Sequence, residues 1–209
     1  MYSLNLFSLT FIFLCCFSEF SSAKKLKSNP LSKIKLDGKN FVDQDGRVML
    51  FHGINSVQKN FPWVPDQHPN NLRNLTEIEN LQKWGFNAVR LGYMWSGLYP
   101  EKGKINQTYV DIMTEIIDTL ASYGIYTLID LHQDQMSSEF YSYDGVPLWL
   151  LNELPAPKHP YPWPFKEKEI WDKAYFSEAC CFAFQCFYDN VSNSQVSKFM
   201  IQDWHVFFI

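Results

Sequence analysis

The sequence predicts an α/β fold built from parallel βαβ units. Segments typical of strands alternate with segments typical of helices, and short links join them. Polar residues end the three predicted strands, namely Asn55, Arg90, Asp130 and His132. In a (β/α)8 barrel this end of the strands carries the chemistry. No Gly-x-Gly-x-x-Gly pattern follows the first strand, so the dinucleotide-binding version of the fold lacks its fingerprint.

A small hairpin comes before the first strand. Residues 41–50 place apolar side chains on both sides of Asp45-Gly46, a pair that supplies the positive φ angles of a tight turn. Asp43 and Asp45 also suggest a calcium loop, but its remaining ligand positions, including the distant glutamate, do not follow. We therefore expect a turn here, and the first strand over residues 48–54.

The second βα unit begins with a capped helix. Thr76 and Glu79 have the spacing of a capping box, and Gly85 is typical of a helix end. Residues 87–91 are a short apolar run and predict the second strand.

A longer helix and the third strand follow. Thr108 opens the helix and Gly124 ends it, and residues 125–132 are nearly continuously apolar, as in a strand covered on both faces. The apolar residues of the helix repeat at 3.6-residue spacing. They are Tyr109, Ile112, Met113, Ile116, Ile117 and Leu120.

Residues 133–168 form an insertion rather than a link. The segment contains six of the eleven prolines and seven aromatic residues. Loops of this length in compact domains are functional or disordered, and the aromatic content favours an ordered lid or groove wall. We expect a helix over residues 167–188, with Ile170, Ala174 and Tyr175 on one face, and a further helix over residues 196–206.

Residues 1–23 predict a cleaved signal peptide. The largely apolar run 4–17 has 14 residues, fewer than the roughly 20 that cross a bilayer. Ser21 and Ala23 suit signal-peptidase cleavage. A buried N-terminal helix is the alternative. Residues 24–35 carry five lysines and predict a solvated basic arm, residues 36–209 are then the folded domain, and no second stretch of membrane length follows.

Two further features fit a secretory route. Three Asn-x-Ser/Thr triplets predict glycosylation at Asn74, Asn106 and Asn190. Three cysteines remain after the signal peptide, namely Cys180, Cys181 and Cys186. An odd number allows one internal disulfide at most, and the alternative is that all three pack as apolar side chains on one helix.

Composition limits the function classes. The chain has 209 residues, of which 46% are hydrophobic and 19% are charged, so it predicts a folded protein rather than a disordered one. The net charge of −4 gives no electrostatic footprint for nucleic acid, whose binding would need a clustered basic face.

Residues 130–134 are the densest polar motif. Strand alternation puts Asp130, His132 and Asp134 on one side, as a carboxylate, an imidazole and a carboxylate. A metal site, a core histidine satisfied by its neighbouring aspartate, and a polar binding pocket are all compatible with this stripe, and we favour the pocket.

Three motifs together resemble a known family. Residues 51–55 (FHGIN), 84–91 (WGFNAVRL) and 128–134 (LIDLHQD) are similar to the first three barrel strands of retaining glycoside hydrolases of family 5, in the cellulase-like clan. Residues 145–149 (GVPLW) and 160–164 (PYPWP), together with His-Gln-Asp at 132–134, resemble the endoglycoceramidase branch, which cleaves the glycan from the ceramide of glycosphingolipids. The resemblance covers about residues 34–190 and implies the N-terminal part of a (β/α)8 TIM barrel, about three of its eight units.

The resemblance also implies roles for particular residues. Arg90 would orient the nucleophilic carboxylate and keep it ionised, because an arginine is always charged and can donate two hydrogen bonds at once. His132 and Asp134 would bond sugar hydroxyls, Lys59 would reach the glycan and Asn55 would support the site. Aromatic residues of the insertion would stack on sugars or cover the ceramide. No metal or organic cofactor is implied, and the implied partner is a glycosphingolipid or oligosaccharide.

The catalytic pair is the main departure from the family pattern. A retaining glycosidase needs two carboxylates about 5 Å apart, and the family carries the first within Asn-Glu-Pro on the fourth strand. Residues 152–155 (NELP) fall in the insertion and are not that motif. We expect that this chain contains neither catalytic glutamate and is inactive alone. Another family 5 β-glucanase and a non-catalytic secreted glycan-binding or glycolipid-binding protein are the alternatives.

Overall fold

A computed structural model describes residues 31–67, 71–132, 136–140, 145–168 and 171–190. The predicted signal peptide, Asp134, Ile170 and the predicted helix 196–206 lie outside these residues. The strands are β1 (Lys35–Asp37), β2 (Asn40–Val42), β3 (Gly53–Ser56), β4 (Ala88–Tyr93) and β5 (Tyr126–Leu131). The helices are α1 (Leu75–Lys83), α2 (Trp95–Leu98), α3 (Gln107–Ser122), α4 (Leu148–Leu151), α5 (Trp171–Ala174) and α6 (Glu178–Asn190).

The predicted turn at Asp45-Gly46 is confirmed, but the ladder beside it differs from the prediction. Gly46 has a φ of +82°, and the side chain of Asp43 accepts hydrogen bonds from the backbone of Asp45 and Arg47. The Arg47 guanidinium also pairs with the carboxylates of Asp43 and Asp45, so both already have a cationic partner within the turn. The regular antiparallel ladder joins β2 to β1, so the last lysine of the predicted basic arm, Lys35, begins a strand.

The first parallel strand begins later than predicted. The side chain of Asn87 explains the shift, because its amide accepts from the His52 backbone N–H and donates to the Leu50 carbonyl. Residues 50–52 are therefore held by a side chain, and regular strand pairing starts at Gly53. The prediction of a strand over residues 48–54 was wrong at its start.

Strands β3, β4 and β5 form a parallel sheet in that order, as predicted. In the register, Asn55 lies opposite Arg90, and Arg90 lies opposite Leu128. Gly92 lies opposite Asp130. Because side chains alternate across a strand, these residues project from one face of the sheet.

The other face packs against α1 and α3. Helix α3 buries Tyr109, Met113, Ile116 and Leu120, which are four of the six residues that the periodicity predicted, and the other two are partly buried against the same core. From the sheet, Val89 and Leu91 are fully buried in this cluster. The predicted ends at Gly85 and Gly124 are confirmed, with φ angles of +80° and +74°.

The helix starts differ from the predictions. The N-cap of α1 is Asn74, whose side chain accepts from the Thr76 backbone N–H, so Thr76 is not the cap. The N-cap of α3 is Asn106, whose side chain accepts from the Tyr109 backbone N–H. Asparagine, like threonine, can offer a side-chain oxygen to the unpaired N–H groups of the first turn, and here the asparagine two residues earlier does so.

The insertion is ordered over residues 145–168 and has its own apolar cluster. Met136, Phe140, Val146 and Leu150 pack against α5 and α6. The single helix predicted over residues 167–188 is wrong, because the chain turns between Ala174 and Glu178. Ser177 accounts for the break, since its hydroxyl bonds to the Ala174 carbonyl and accepts from the Cys180 backbone N–H.

The three cysteines of α6 are free thiols. Cys180 and Cys186 are buried while Cys181 is exposed, so two of the three pack as apolar side chains. Burial raises the pKa of the Cys180 thiol to about 12, which makes it unreactive near neutral pH.

A histidine–glutamate pair fastens the proline-rich part of the insertion to α6. The His159 ring lies 2.7 Å from Glu178 Oε2, its backbone N–H donates to Glu178 Oε1, and the ring stacks on Trp163. The hydrogen bond from His159 lowers the pKa of the Glu178 carboxyl. The carboxylate therefore stays charged, and its pairing persists, at mildly acidic pH.

The third parallel strand is less covered than the sequence predicts. Its near-continuous apolar run indicated burial on both faces, yet Leu128 is 64% exposed on the Arg90 face and Ile129 is 43% exposed on the other. Within the described residues, β5 is one of the two edge strands of the sheet, with no further strand beside it to cover these side chains.

The difference in exposure predicts unequal losses of unfolding free energy when two leucines of the sheet are truncated. Leu91→Ala should lower the free energy of unfolding by about 2–5 kcal/mol, because the fully buried side chain leaves a cavity. Leu128→Ala should cost less than about 1 kcal/mol, because the side chain is largely exposed. Urea unfolding of the three proteins, followed by near-ultraviolet circular dichroism, measures both. Equal losses would contradict the burial described here.

Candidate functional site

A charged cluster joins the middle of β4, at Arg90, to the carboxyl end of β5, at Asp130 and His132. The Arg90 guanidinium donates to Asp130 Oδ2 across 2.7 Å, and Nδ1 of His132 lies 2.8 Å from the same oxygen. Because a carboxylate can only accept, the geometry has His132 donating through Nδ1. One carboxylate oxygen thus orients two side chains that the sequence singled out.

The three side chains of the cluster differ in their exposure to solvent. The side chains of His132, Asp130 and Arg90 are 11%, 19% and 40% exposed. The inner two groups are held in place, and the guanidinium faces the open side of the sheet. Arginine has five donors in a planar fork, so it can bind a further anionic or polar group while it holds Asp130.

The other predicted site residues are distributed around this cluster. Asn55 is exposed on β3 as the register partner of Arg90, and Lys59 is half-buried in the loop after β3. Asp134, the last member of the predicted stripe, lies outside the described residues. The structure therefore joins Arg90 and His132 directly and places Asn55 on the neighbouring strand.

No metal cluster is found in the described residues. Among them, no group of three or more histidine, cysteine, aspartate or glutamate side chains is arranged to hold an ion. Likewise, no described helix is long and apolar enough to cross a membrane.

The loop after β3 contacts the sheet beside the cluster. A Cβ on Gly92 would lie 3.0 Å from both γ-carbons of Val57. Gly92 shares its face with Arg90 and lies opposite Asp130, so Val57 starts the loop directly above the charged groups. The absence of a side chain at position 92 makes this close approach possible.

The insertion is fastened to the loops that follow β4. The Trp149 indole donates to the Tyr99 carbonyl, and the Ser96 hydroxyl donates to the Gly145 carbonyl. Glu153 pairs with Lys102. This ion pair gives Glu153 a structural partner, and whether residues 152–155 take part in catalysis stays a prediction.

A cavity of about 300 Å3 opens in the insertion. Its floor includes the buried side chains of Phe140, Ala179 and Ala183. Its walls are mostly proline, leucine and aromatic side chains, and Glu139 and Asn152 add polar groups. Such a lining suits the apolar part of a ligand.

Tyr93 ends β4 on the core face, beside the cluster but not within it. Burial raises the pKa of its hydroxyl to about 12, and its ring meets Tyr109 edge to face. A phenol with this pKa stays protonated near neutral pH, so Tyr93 supports the core rather than acting as a base.

Sequence reasoning missed two features of this site. It offered Asp130 as the partner of His132, which the structure shows, but it did not anticipate that the same carboxylate also pairs with Arg90. It also passed over Gly92 and Val57, because a close approach between a loop and a strand leaves no mark in a single sequence.

A parallel sheet flanked by helices, with charged side chains at its carboxyl edge, defines an α/β-barrel type of enzyme scaffold. The model of the cellulase family, glycosyl hydrolase family 5, matches residues 42–179. The chain belongs to glycosyl hydrolase family 5, as its sequence motifs predicted.

Relatives with a known name indicate which members of the family this chain resembles. An endoglycoceramidase of Hydra vulgaris is 37% identical in an alignment 182 positions long, which covers 79% of this chain and 35% of that protein. An endoglycoceramidase of Cyanea nozakii is 37% identical in an alignment 177 positions long, which covers 77% of this chain and 35% of that protein. The chain thus spans about a third of the length of the endoglycoceramidases that it matches.

Solved structures share the fold. A crystal structure of an endogalactoceramidase superposes with a TM-score of 0.58 at 25% identity, covering 83% of this chain and 40% of that one. The lactosyl-enzyme intermediate of endo-glycoceramidase II from Rhodococcus sp. gives a TM-score of 0.54 at 23% identity, covering 74% and 35%. The three parallel strands are thus part of a (β/α) barrel.

The contact between Val57 and Gly92 gives a testable coupling. Gly92→Ala should lower the free energy of unfolding by about 1–3 kcal/mol, because the new methyl group meets both γ-carbons of Val57. In a Val57→Ala background the same change should cost less, because those carbons are gone. Urea unfolding of the four proteins measures the coupling. An equal cost of Gly92→Ala in both backgrounds would show that the loop does not rest on position 92.

Proposed function

We propose that this chain forms the glycan-binding wall of a glycosidase that separates the glycan from the ceramide of glycosphingolipids. The observation that carries the proposal is the cluster of Arg90, Asp130 and His132 at the carboxyl edge of the sheet, in a chain of family 5. The names of its curated relatives support glycosphingolipids as the substrate class.

Each group of the cluster has a role in this proposal. Arg90, positioned by Asp130, orients a catalytic carboxylate, which its partly exposed guanidinium can reach from the open face. His132 and Asp134 bond sugar hydroxyls at the cleavage point, and Lys59 and Asn55 extend the polar wall along the glycan. The hydrolysis follows the retaining course, with two carboxylates about 5 Å apart.

In this proposal the insertion binds the lipid part of the substrate. The apolar cavity is lined by Phe140, Leu154 and Phe182 among others, and it suits hydrocarbon better than sugar. The rigid link from Trp149 to Tyr99 fixes the insertion beside the loop that follows β4. Polar and apolar binding surfaces are therefore held by one framework, as an amphiphilic substrate requires.

Neither carboxylate of the catalytic pair is assigned to a residue of this chain. Asp130 is bonded to Arg90 and His132, and Glu153 is paired with Lys102. We propose that this polypeptide binds glycosphingolipid without hydrolysing it.

Binding without turnover can be measured directly. The purified chain should bind lactosylceramide in detergent micelles and release no ceramide by chromatography. His132→Ala should weaken binding by about tenfold, because a hydrogen bond to a sugar hydroxyl is lost. His52→Ala is the matched control, because His52 stacks on Phe86 at the opposite, amino end of the sheet.

Three results would contradict parts of this proposal. Ceramide release by the unsubstituted chain would exclude binding without turnover. Equal affinities for the His132→Ala and unsubstituted proteins would exclude the site. Preference for a cello-oligosaccharide over lactosylceramide would instead favour the β-glucanase alternative.

We further propose that the chain enters the secretory route, loses residues 1–23 and carries N-linked glycans. Asn74 and Asn106 support this because both lie at helix starts and cap them through the side-chain oxygen. An N-linked glycan occupies the amide nitrogen, so capping and glycosylation are compatible.

Two substitutions at Asn106 separate the glycan from the cap. In secreted material, Asn106→Asp and Asn106→Gln should both lose the mass that peptide N-glycosidase removes at this position. Only Asn106→Gln should also lose about 1 kcal/mol of unfolding free energy, because aspartate retains a capping oxygen. N-terminal sequencing should begin near Lys24. A secreted chain that begins at Met1 and shows no glycan mass would contradict the secretory proposal.

A further inference from the structure

An exposed aromatic side chain stands in the loop after β3. Phe61 is 77% exposed, and its ring meets Trp63 edge to face with centroids 5.3 Å apart. A side chain this exposed contributes little to burial in the described fold. Other large apolar side chains are equally exposed, so what distinguishes Phe61 is the backbone and the ring that support it.

The support beneath Phe61 is rigid. Trp63 packs against the main apolar core, and the next residue, Val64, is 2% exposed. The Trp63 backbone N–H donates to the Asn60 carbonyl across 2.6 Å, closing a turn around Phe61. Phe61 thus lies in a hydrogen-bonded turn whose following residues pack on the core.

The backbone at Trp63 is strained. Its φ of +61° lies in the left-handed region, and within the described residues it is the one non-glycine residue with a positive φ. For a bulky side chain this conformation is rare and unfavourable, and such outliers concentrate at binding sites. The conformation turns the Trp63 ring onto the core while Phe61 remains in solvent.

The loop begins at the charged cluster. Val57 rests on Gly92, which lies opposite Asp130 on the Arg90 face. Four residues span at most about 14 Å, so Phe61 is within that distance of Val57. Phe61 is therefore within reach of a short oligosaccharide held by the cluster.

We propose that Phe61 is a stacking platform for a pyranose ring of the bound glycan, and that Trp63 holds it in place. The proposal rests on the proposed function and adds a specificity-determining residue to it. The apolar face of a sugar stacks on an aromatic ring while its hydroxyl edge needs hydrogen-bond partners. Gln58, Lys59 and Asn60 supply polar groups immediately before the ring.

The same features argue against a lipid at this position. A hydrocarbon chain is stabilised by enclosure in an apolar groove, which the cavity lined by Phe140 and Phe182 provides in the insertion. Phe61 is instead an open, 77% exposed side chain that directly follows three polar residues in the chain. A flat ligand with an apolar face and a polar edge matches that surface.

The test uses methyl β-lactoside as the probe, a glycan headgroup without lipid. Its dissociation constant from the full 209-residue chain is measured by NMR titration, with saturation transfer identifying the sugar protons in contact. Phe61→Ala should weaken binding about five- to twentyfold, and Phe61→Tyr should restore it. Phe176→Ala is the matched control, because Phe176 is 75% exposed in the turn between α5 and α6. Near-ultraviolet circular dichroism verifies that each variant remains folded.

The outcomes separate this proposal from the proposed function. If His132→Ala weakens binding and Phe61→Ala does not, the platform is wrong and the polar site stands. If Phe61→Ala alone weakens binding, the platform stands and the role of His132 is wrong. If the unsubstituted chain does not bind methyl β-lactoside, both are wrong. Weaker binding of a short-chain ceramide to Phe61→Ala, with lactoside binding unchanged, would make Phe61 a lipid contact and overturn the platform.

Discussion

The register of β4 between β3 and β5 decides which side chains reach the core and which reach the site. Val89 and Leu91 project into the helices, and Arg90 projects the opposite way. A slip by one residue would exchange the two sets, burying a guanidinium and exposing two fully buried side chains. Hydrophobic burial on one face therefore fixes the position of the charged cluster on the other, and the cluster needs no stabilising energy of its own to be placed.

The ion pair within the cluster serves to orient side chains, whereas the stability of the sheet comes from its buried face. Arg90 is 40% exposed, and an ion pair of that exposure adds little to stability. Its effect is orientation, because Asp130 Oδ2 accepts from both Arg90 and His132 and fixes their relative geometry. Removing Asp130 would leave two donors without their shared acceptor while the packing of the sheet remained. The arrangement is typical of a site in which position, rather than stability, is the property that matters.

The sequence predicted those parts of the structure that depend on local pattern. Alternation and the order of elements gave the parallel sheet, the 3.6-residue spacing gave the buried face of α3, and Asp130 and His132 were placed together by strand periodicity. The misses arise where distant residues compete with local signals. Asn87 replaces strand pairing at residues 50–52, and Ser177 divides the helix predicted over residues 167–188. The exposure of Leu128 depends on the strand's place at the sheet edge, which no local pattern reports.

Two tryptophans connect the two apolar clusters of the molecule. Trp95 and Trp149 each pack against both the main core and the cluster of the insertion. The insertion is consequently not a separate flap, because its position is set by side chains that also belong to the core beneath the sheet. A ligand that contacts the polar edge of the sheet and the cavity of the insertion would meet two surfaces at a fixed separation. An amphiphile that bridged the two surfaces would meet them in a fixed arrangement, and this connects the packing of Trp149 to the substrate class proposed for the chain.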